Sequence, residues 1–199
     1  MPEGTVHLKK GKERKVHNGY PWIQRGECRA DGVEDGSVAR LVDHEGRFLA
    51  RGTYNAQSRF QFRVFTVEDR ALDESFFAGR LKAAMDLRAA LLPGLDAWRL
   101  AHSEADGLPG LIVDKYGPFL VVQVRSLGME KLREAWLPAL LEVTAAEGAL
   151  EKSEMAGREE EGLSPRTGTL HGSVPDEVEI VEGGLRFNVP CLLYTSRCV

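Results

Sequence analysis

The sequence predicts an α+β protein in two parts, a small β-barrel followed by an α+β domain whose elements run strand-strand-helix-strand-strand. Three observations predict it. Phe60-Gln61-Phe62-Arg63-Val64 alternates apolar and polar residues with period two, as a half-buried strand does. Phe77, Leu81, Ala84 and Met85 recur at helical spacing after Asp73, a residue suited to cap a helix. Val178–Val181 and Leu185–Val189 flank Gly183-Gly184, a strong signal for a two-residue hairpin.

In chain order, Val6-His7-Leu8 reads as a short strand leading into the basic run Lys9-Lys10-Gly11-Lys12-Glu13-Arg14-Lys15. His17 to Ile23, with Pro21, reads as a turn and short helix. Ser37–Asp43 and Arg47–Thr53 read as strands joined by a tight turn at His44-Glu45-Gly46. With Phe60–Val64, these short strands and glycines fit a barrel over residues 1–70. A connecting helix follows within 71–95, with Lys82 and Asp86 on its polar face and Pro93-Gly94 at its end. The second domain is placed at 96–189. Trp98–Ser103 is its first strand, and Gly110–Asp114 and Phe119–Val124 form a hairpin around Lys115–Pro118. Met129 to about Ala146 reads as one helix with Leu132, Trp136, Leu140 and Val143 on one face. Pro138 is expected to kink it, because it removes a donor and crowds the preceding turn. Residues 153–176, polar and glycine-containing, read as a long loop.

The chain has 199 residues, 43% hydrophobic and 28% charged, which describes an ordinary globular composition. No apolar run approaches the roughly 18 residues of a membrane span, and no signal peptide is recognisable. Three cysteines (Cys28, Cys191 and Cys198) share no metal-ligand spacing with each other or with the five scattered histidines, so no metal is expected and the cytoplasm is the expected compartment. The net charge of −4 argues by itself against a polyanionic partner, but its distribution does not. Residues 1–65 carry 12 Lys/Arg against 8 Asp/Glu, whereas the remainder is acidic.

Lys9-Lys10-Gly11 through Gly19-Tyr20-Pro21-Trp22, with Gly52-Thr53-Tyr54-Asn55 and Arg63-Val64-Phe65, resembles a PUA domain, a small RNA-binding barrel. His102-Ser103-Glu104-Ala105-Asp106-Gly107-Leu108-Pro109-Gly110-Leu111-Ile112-Val113-Asp114-Lys115-Tyr116 is similar to the middle domain of class I methyltransferases that modify large-subunit ribosomal RNA. Glu151-Lys152-Ser153, Arg158, Glu161-Gly162-Leu163 and Glu182–Leu185 continue the match, which spans roughly residues 5–189. The resemblance implies a PUA-like barrel, large-subunit rRNA as partner, and S-adenosylmethionine as cofactor for methylation of a cytosine at C5. It also implies a catalytic cysteine and cofactor loop in a further domain after Val189. Pro190–Val199 does not match that domain's expected start, so the chain is expected to stop short of its catalytic part, with no cofactor bound and no catalytic residue. Cys191 and Cys198 are accordingly not read as nucleophiles. No membrane is expected, and the sequence leaves room for a homodimer.

The candidate RNA contacts are Lys9, Lys10, Lys12, Arg14, Lys15, Tyr20 and Arg25, since cations that displace condensed counterions dominate affinity for RNA. A solvated surface is the competing reading. Arg29 extends the basic face. Tyr20 and Trp22 could stack on unpaired bases, although Trp22 is expected rather to close the barrel core. Glu104, Asp106 and Asp114 are expected to serve turn chemistry, against the alternative of a hydrolase using Asp106 and Asp114. Glu159-Glu160-Glu161 reads as a solvated loop. A stand-alone RNA-binding module without enzymatic activity is the alternative to the methyltransferase reading.

Overall fold

Seven elements build the first third of the chain, in a computed structural model that describes residues 4–190. They are β1 (Gly4–Leu8), α1 (Glu13–His17), β2 (Trp22–Ile23), β3 (Cys28–Ala30), β4 (Val38–Val42), β5 (Phe48–Tyr54) and β6 (Phe62–Thr66). The six strands form one sheet in the order β2-β6-β5-β4-β1-β3. Neighbours are antiparallel except β1 and β4, which pair in parallel with Val6 opposite Leu41. The two edge strands, β2 and β3, are consecutive in the chain and joined by a turn in which Glu27 N–H donates to the Gln24 carbonyl at 3.0 Å. The sheet is therefore curled almost into a closed barrel. Alternate residues point inward, as in β1, where Val6 and Leu8 are buried and His7 is exposed. Inside, they meet Ile23, Ala39, Leu41, Ala50 and Phe62. Gly52 is required where β5 and β6 run closest, because a Cβ there would lie 1.9 Å from the Arg63 carbonyl oxygen.

Three sequence expectations need correction here. The short helix lies on the basic run, not over residues 17–23. Gly19, at φ +75°, ends α1: its N–H reaches the Val16 carbonyl and the Tyr20 N–H reaches the Lys15 carbonyl, both at 2.9 Å. That bond pair is the Schellman closure of a helix, so the Gly19–Pro21 signal marks a stop. The last barrel strand starts at Phe62, which leaves Phe60 outside the ladder. β3 went unread, since three residues carry too little periodicity.

The rest of the chain begins with α2 (Glu74–Leu91), whose first turn is capped by Asp73 accepting from Phe76 N–H at 3.0 Å. Phe76, Phe77, Leu81 and Ala84 are buried, and Lys82 pairs with Asp86 on the exposed face at 2.7 Å. There follow β7 (Ala97–His102), β8 (Leu111–Tyr116), β9 (Phe119–Val124), α3 (Leu127–Lys131), α4 (Arg133–Thr144), β10 (Gly148–Ser153) and β11 (Arg166–Gly172). The sheet order is β11-β10-β9-β8-β7, with β10 parallel to β9 through the α3–α4 crossover. Phe76, Phe77 and Leu81 share one core with Leu100, Leu111, Val122, Trp136 and Leu140, so α2 packs with the second sheet. A separate hairpin, β12 (Glu177–Glu182) and β13 (Leu185–Pro190), turns at Gly183-Gly184 with both residues at positive φ, as read from the sequence.

The expected helix over 129–146 is two helices broken at Leu132 (ψ 10°), not one kinked at Pro138. Ser126 caps α3 by accepting from Met129 N–H at 3.3 Å, and the Trp136 indole donates to the Met129 carbonyl at 2.9 Å. The indole thus supplies the donor that the break removes. Pro138 is accommodated inside α4, where both it and Glu134, whose carbonyl loses a donor, are solvent-exposed. The expected loop over 153–176 contains β11 and a short 3₁₀ turn at Glu159–Glu161. Neither β10 nor β11 is rich in β-branched residues, and β11 is an exposed edge strand without alternation; its ladder with β10 defines it. No helix among the described residues is long and apolar enough to cross a membrane, and no cluster of three or more His, Cys, Asp or Glu able to hold a metal occurs among them. Cys191 and Cys198 lie outside the described residues.

Candidate nucleic-acid interface

The basic run leaves β1 and winds into α1, placing Lys9, Lys10 and Arg14 in solvent, without an ion pair among the described residues. Lys12 and Lys15 instead fold back onto Glu27, at 3.1 and 2.6 Å. Partial burial would raise the Glu27 carboxyl, but hydrogen bonds from Lys15, the Gln24 N–H and Lys12 outweigh it and hold the group at about 2. Two of the five cations in the run are thus largely neutralised. Tyr20 stands 40% exposed beside them, with the Lys15 ammonium 5.4 Å from its ring centroid. Arg25 is exposed and donates to the Gln57 carbonyl. Arg29 pairs with Asp31 at 3.1 Å in the open.

Trp22 does not close the barrel core. It is half-buried at the junction with the second domain, stacked on Phe60 at 4.9 Å with an interplanar angle of 23°, and Tyr20 meets it edge-on at 5.7 Å. Its indole N–H donates to Glu104 Oε1 at 2.8 Å. Glu104 also receives Arg63 at 3.1 Å and the Ser103 hydroxyl, so its carboxyl lies below the ordinary value although burial alone would raise it. Glu161 is the centre of the same junction. It is 4% exposed and accepts from Ser58 Oγ at 2.5 Å, Arg63 Nη2 at 2.7 Å, Asn55 Nδ2 at 3.1 Å and Leu127 N–H at 3.3 Å. The reading of residues 159–161 as a solvated loop therefore fails at Glu161, a buried carboxylate matched by donors from the barrel and from α3.

Between barrel and second sheet lies a cleft of about 230 Å³, walled by Trp22, Phe60 and Arg63 on one side and by Ser103, Arg125, Met155–Arg158, Glu160 and Glu161 on the other. Sequence reasoning missed Arg59, Phe60 and Arg125 as site residues. The period-two pattern put Phe60 in a strand, and the two arginines belong to no motif. The remaining acidic residues are matched individually: Asp106 takes Arg88 in a two-pronged contact at 2.5 and 2.8 Å, and Asp114 takes Arg99 at 2.7 and 3.1 Å. Each carboxylate is fixed by its own arginine, which is more than turn chemistry and unlike the free pair a hydrolase needs.

Comparison with known proteins agrees with this architecture. Residues 6–67 match the model of the PUA-like domain family. The chain is 38% identical over 192 residues to ribosomal RNA large subunit methyltransferase I of Photobacterium profundum, covering 93% of this chain and 48% of that protein. The chain thus spans about half the length of the curated relatives it matches. Among solved structures, a protein of Streptococcus mutans named as a "putative sam-dependent methyltransferase" superposes with a TM-score of 0.77 at 19% identity, covering 94% of this chain and 48% of the other. A "putative methyltransferase" complexed with SAH gives the same score and identity, over 94% of this chain and 47% of the other. At that identity the likeness establishes the fold.

Proposed function

We propose, from the premise that the chain carries a PUA-like domain and is related to ribosomal RNA large subunit methyltransferase I, that residues 4–190 grip large-subunit rRNA for such a methyltransferase in the cytoplasm. Methyl transfer from S-adenosylmethionine to C5 of a cytosine would be performed by a region that the aligned half of the relatives does not include. The carrying observation is the set of cations left unneutralised on the barrel: Lys9, Lys10 and Arg14 have no carboxylate partner among the described residues, and Arg25 retains donors beyond its one carbonyl contact.

S-adenosylmethionine does not fit the described residues. Such a cofactor needs a glycine-rich loop running from a strand into a helix, whereas the connections that lead from strands into α1, α2 and α3 hold a single glycine among them, Gly11. No chemical step is assigned to these residues; their work is to bind and orient RNA.

Neutralising about four phosphates gives log K against log salt a slope near −3. Titration of the full chain with a large-subunit rRNA hairpin from low to moderate salt is expected to show it. A slope near zero would overturn the reading.

A further inference from the structure

We propose that the cleft between the barrel and the second sheet takes one unpaired ribonucleotide, its base against the Trp22–Phe60 wall and its phosphate held by Arg59 and Arg125. The inference rests on the RNA-gripping reading above and adds a second, separate contact to it. Four observations carry it.

Arg63 and Arg158 are spent inside the protein, the first on Glu104 and Glu161, the second on the Val124 and Ser164 carbonyls. Arg59 and Arg125 are exposed, line the cleft and have no carboxylate partner among the described residues. The one exposed carboxylate on the wall, Glu160, leaves the cleft with a positive balance. Second, the aromatic wall is held rigidly. Trp22 stacks on Phe60 and is tethered through its indole N–H to Glu104, so little side-chain freedom is lost when a base arrives. Third, about 230 Å³ accommodates a base but not a duplex. Fourth, the wall is continuous with the basic face: Tyr20 meets Trp22 edge-on, and the Arg25 N–H donates to the Arg59 carbonyl at 2.9 Å. A strand crossing Lys9, Lys10 and Tyr20 is led by cations and rings into the cleft, the combination that serves single-strand binding elsewhere.

The test uses the full chain with a seven-nucleotide single-stranded RNA and a blunt duplex of equal length. In the Arg59→Gln/Arg125→Gln double variant, affinity for the single strand is expected to fall about tenfold while duplex affinity stays within twofold. The single strand should also quench tryptophan emission, and Trp22→Phe should remove that quench. Both arginines are exposed, and unchanged thermal melting will show that the double variant folds. Phe60→Leu, with a similar loss, separates the ring from the charges. If wild type binds the single strand and the arginine and Phe60 variants bind it equally well, the cleft is not the site. A quench that persists in Trp22→Phe, or equal competition by polyglutamate, overturns the inference too. A wild-type chain that ignores both RNAs overturns the basic-face reading itself.

Discussion

Two sets of cations, one in the second domain and one on the barrel, are treated in opposite ways. In the second domain three arginines are matched to carboxylates that are buried or nearly so: Arg88 to Asp106, Arg99 to Asp114, and Arg133 to Glu151, which is only 1% exposed. On the barrel, three cations of the basic run point into solvent with no such partner among the described residues. A desolvated charge must be paired to be tolerated, and removing its partner destabilises the fold. A charge left free in water contributes little to folding and is available to a polyanion. The difference separates structural arginines from binding ones better than their counts do, since the whole chain is net acidic.

Four variants would break or sharpen that contrast. Glu151→Ala leaves Arg133 without its buried partner and is expected to destabilise the chain by about 3 kcal/mol in urea unfolding. A loss below about 1 kcal/mol would mean that the pair is not structural. Next, Glu161→Leu strips four donors of their acceptor at the junction and should cost about 2 kcal/mol, with a shift in Trp22 emission as its surroundings open. Unchanged emission would count against Glu161 as the tie between the domains. The triple variant Lys9→Ala/Lys10→Ala/Arg14→Ala should change stability by no more than about 0.5 kcal/mol yet flatten the salt dependence of RNA binding by roughly 2 to 3 in slope. An unaltered slope would move the binding face elsewhere.

The smallest effect concerns Glu27. Its folded-state carboxyl sits at about 2 against an ordinary 4.5, so its contribution is complete above 4.5 and is lost as pH falls toward 2. The partners are partly exposed, so solvent screening should keep the contribution under about 1 kcal/mol. Glu27→Gln should therefore narrow its gap from wild type between pH 4.5 and 2. A constant gap would show that Lys12 and Lys15 are not held by this carboxylate.

What the sequence made legible follows from how local each signal is. Asp73, the Phe77–Leu81–Ala84 stripe and Gly183-Gly184 act within a few residues, and each formed the expected element. Gly19 and Pro21 were legible as punctuation but not as to which side the helix lay on, because a left-handed glycine after a helix and a turn before one share their residues. β10 and β11 were hidden because their evidence is pairing across the sheet. The basic run was visible, while the loss of Lys12 and Lys15 to Glu27 required knowing that the β2–β3 turn folds back on α1. The cleft was least visible, since Phe60, Glu104, Arg125 and Glu161 come from four separate parts of the chain.

The tie between Arg63 and Glu161 joins residues 98 positions apart. During synthesis, the whole cationic barrel would be made well before its anchor, an interval of roughly 5–20 s at common elongation rates. In that window the newborn barrel can fold and meet nucleic acid, its heading set only by the earlier contacts of Trp22 and Arg63 with Glu104. Aim is completed last, when a second, late carboxylate slides beneath it.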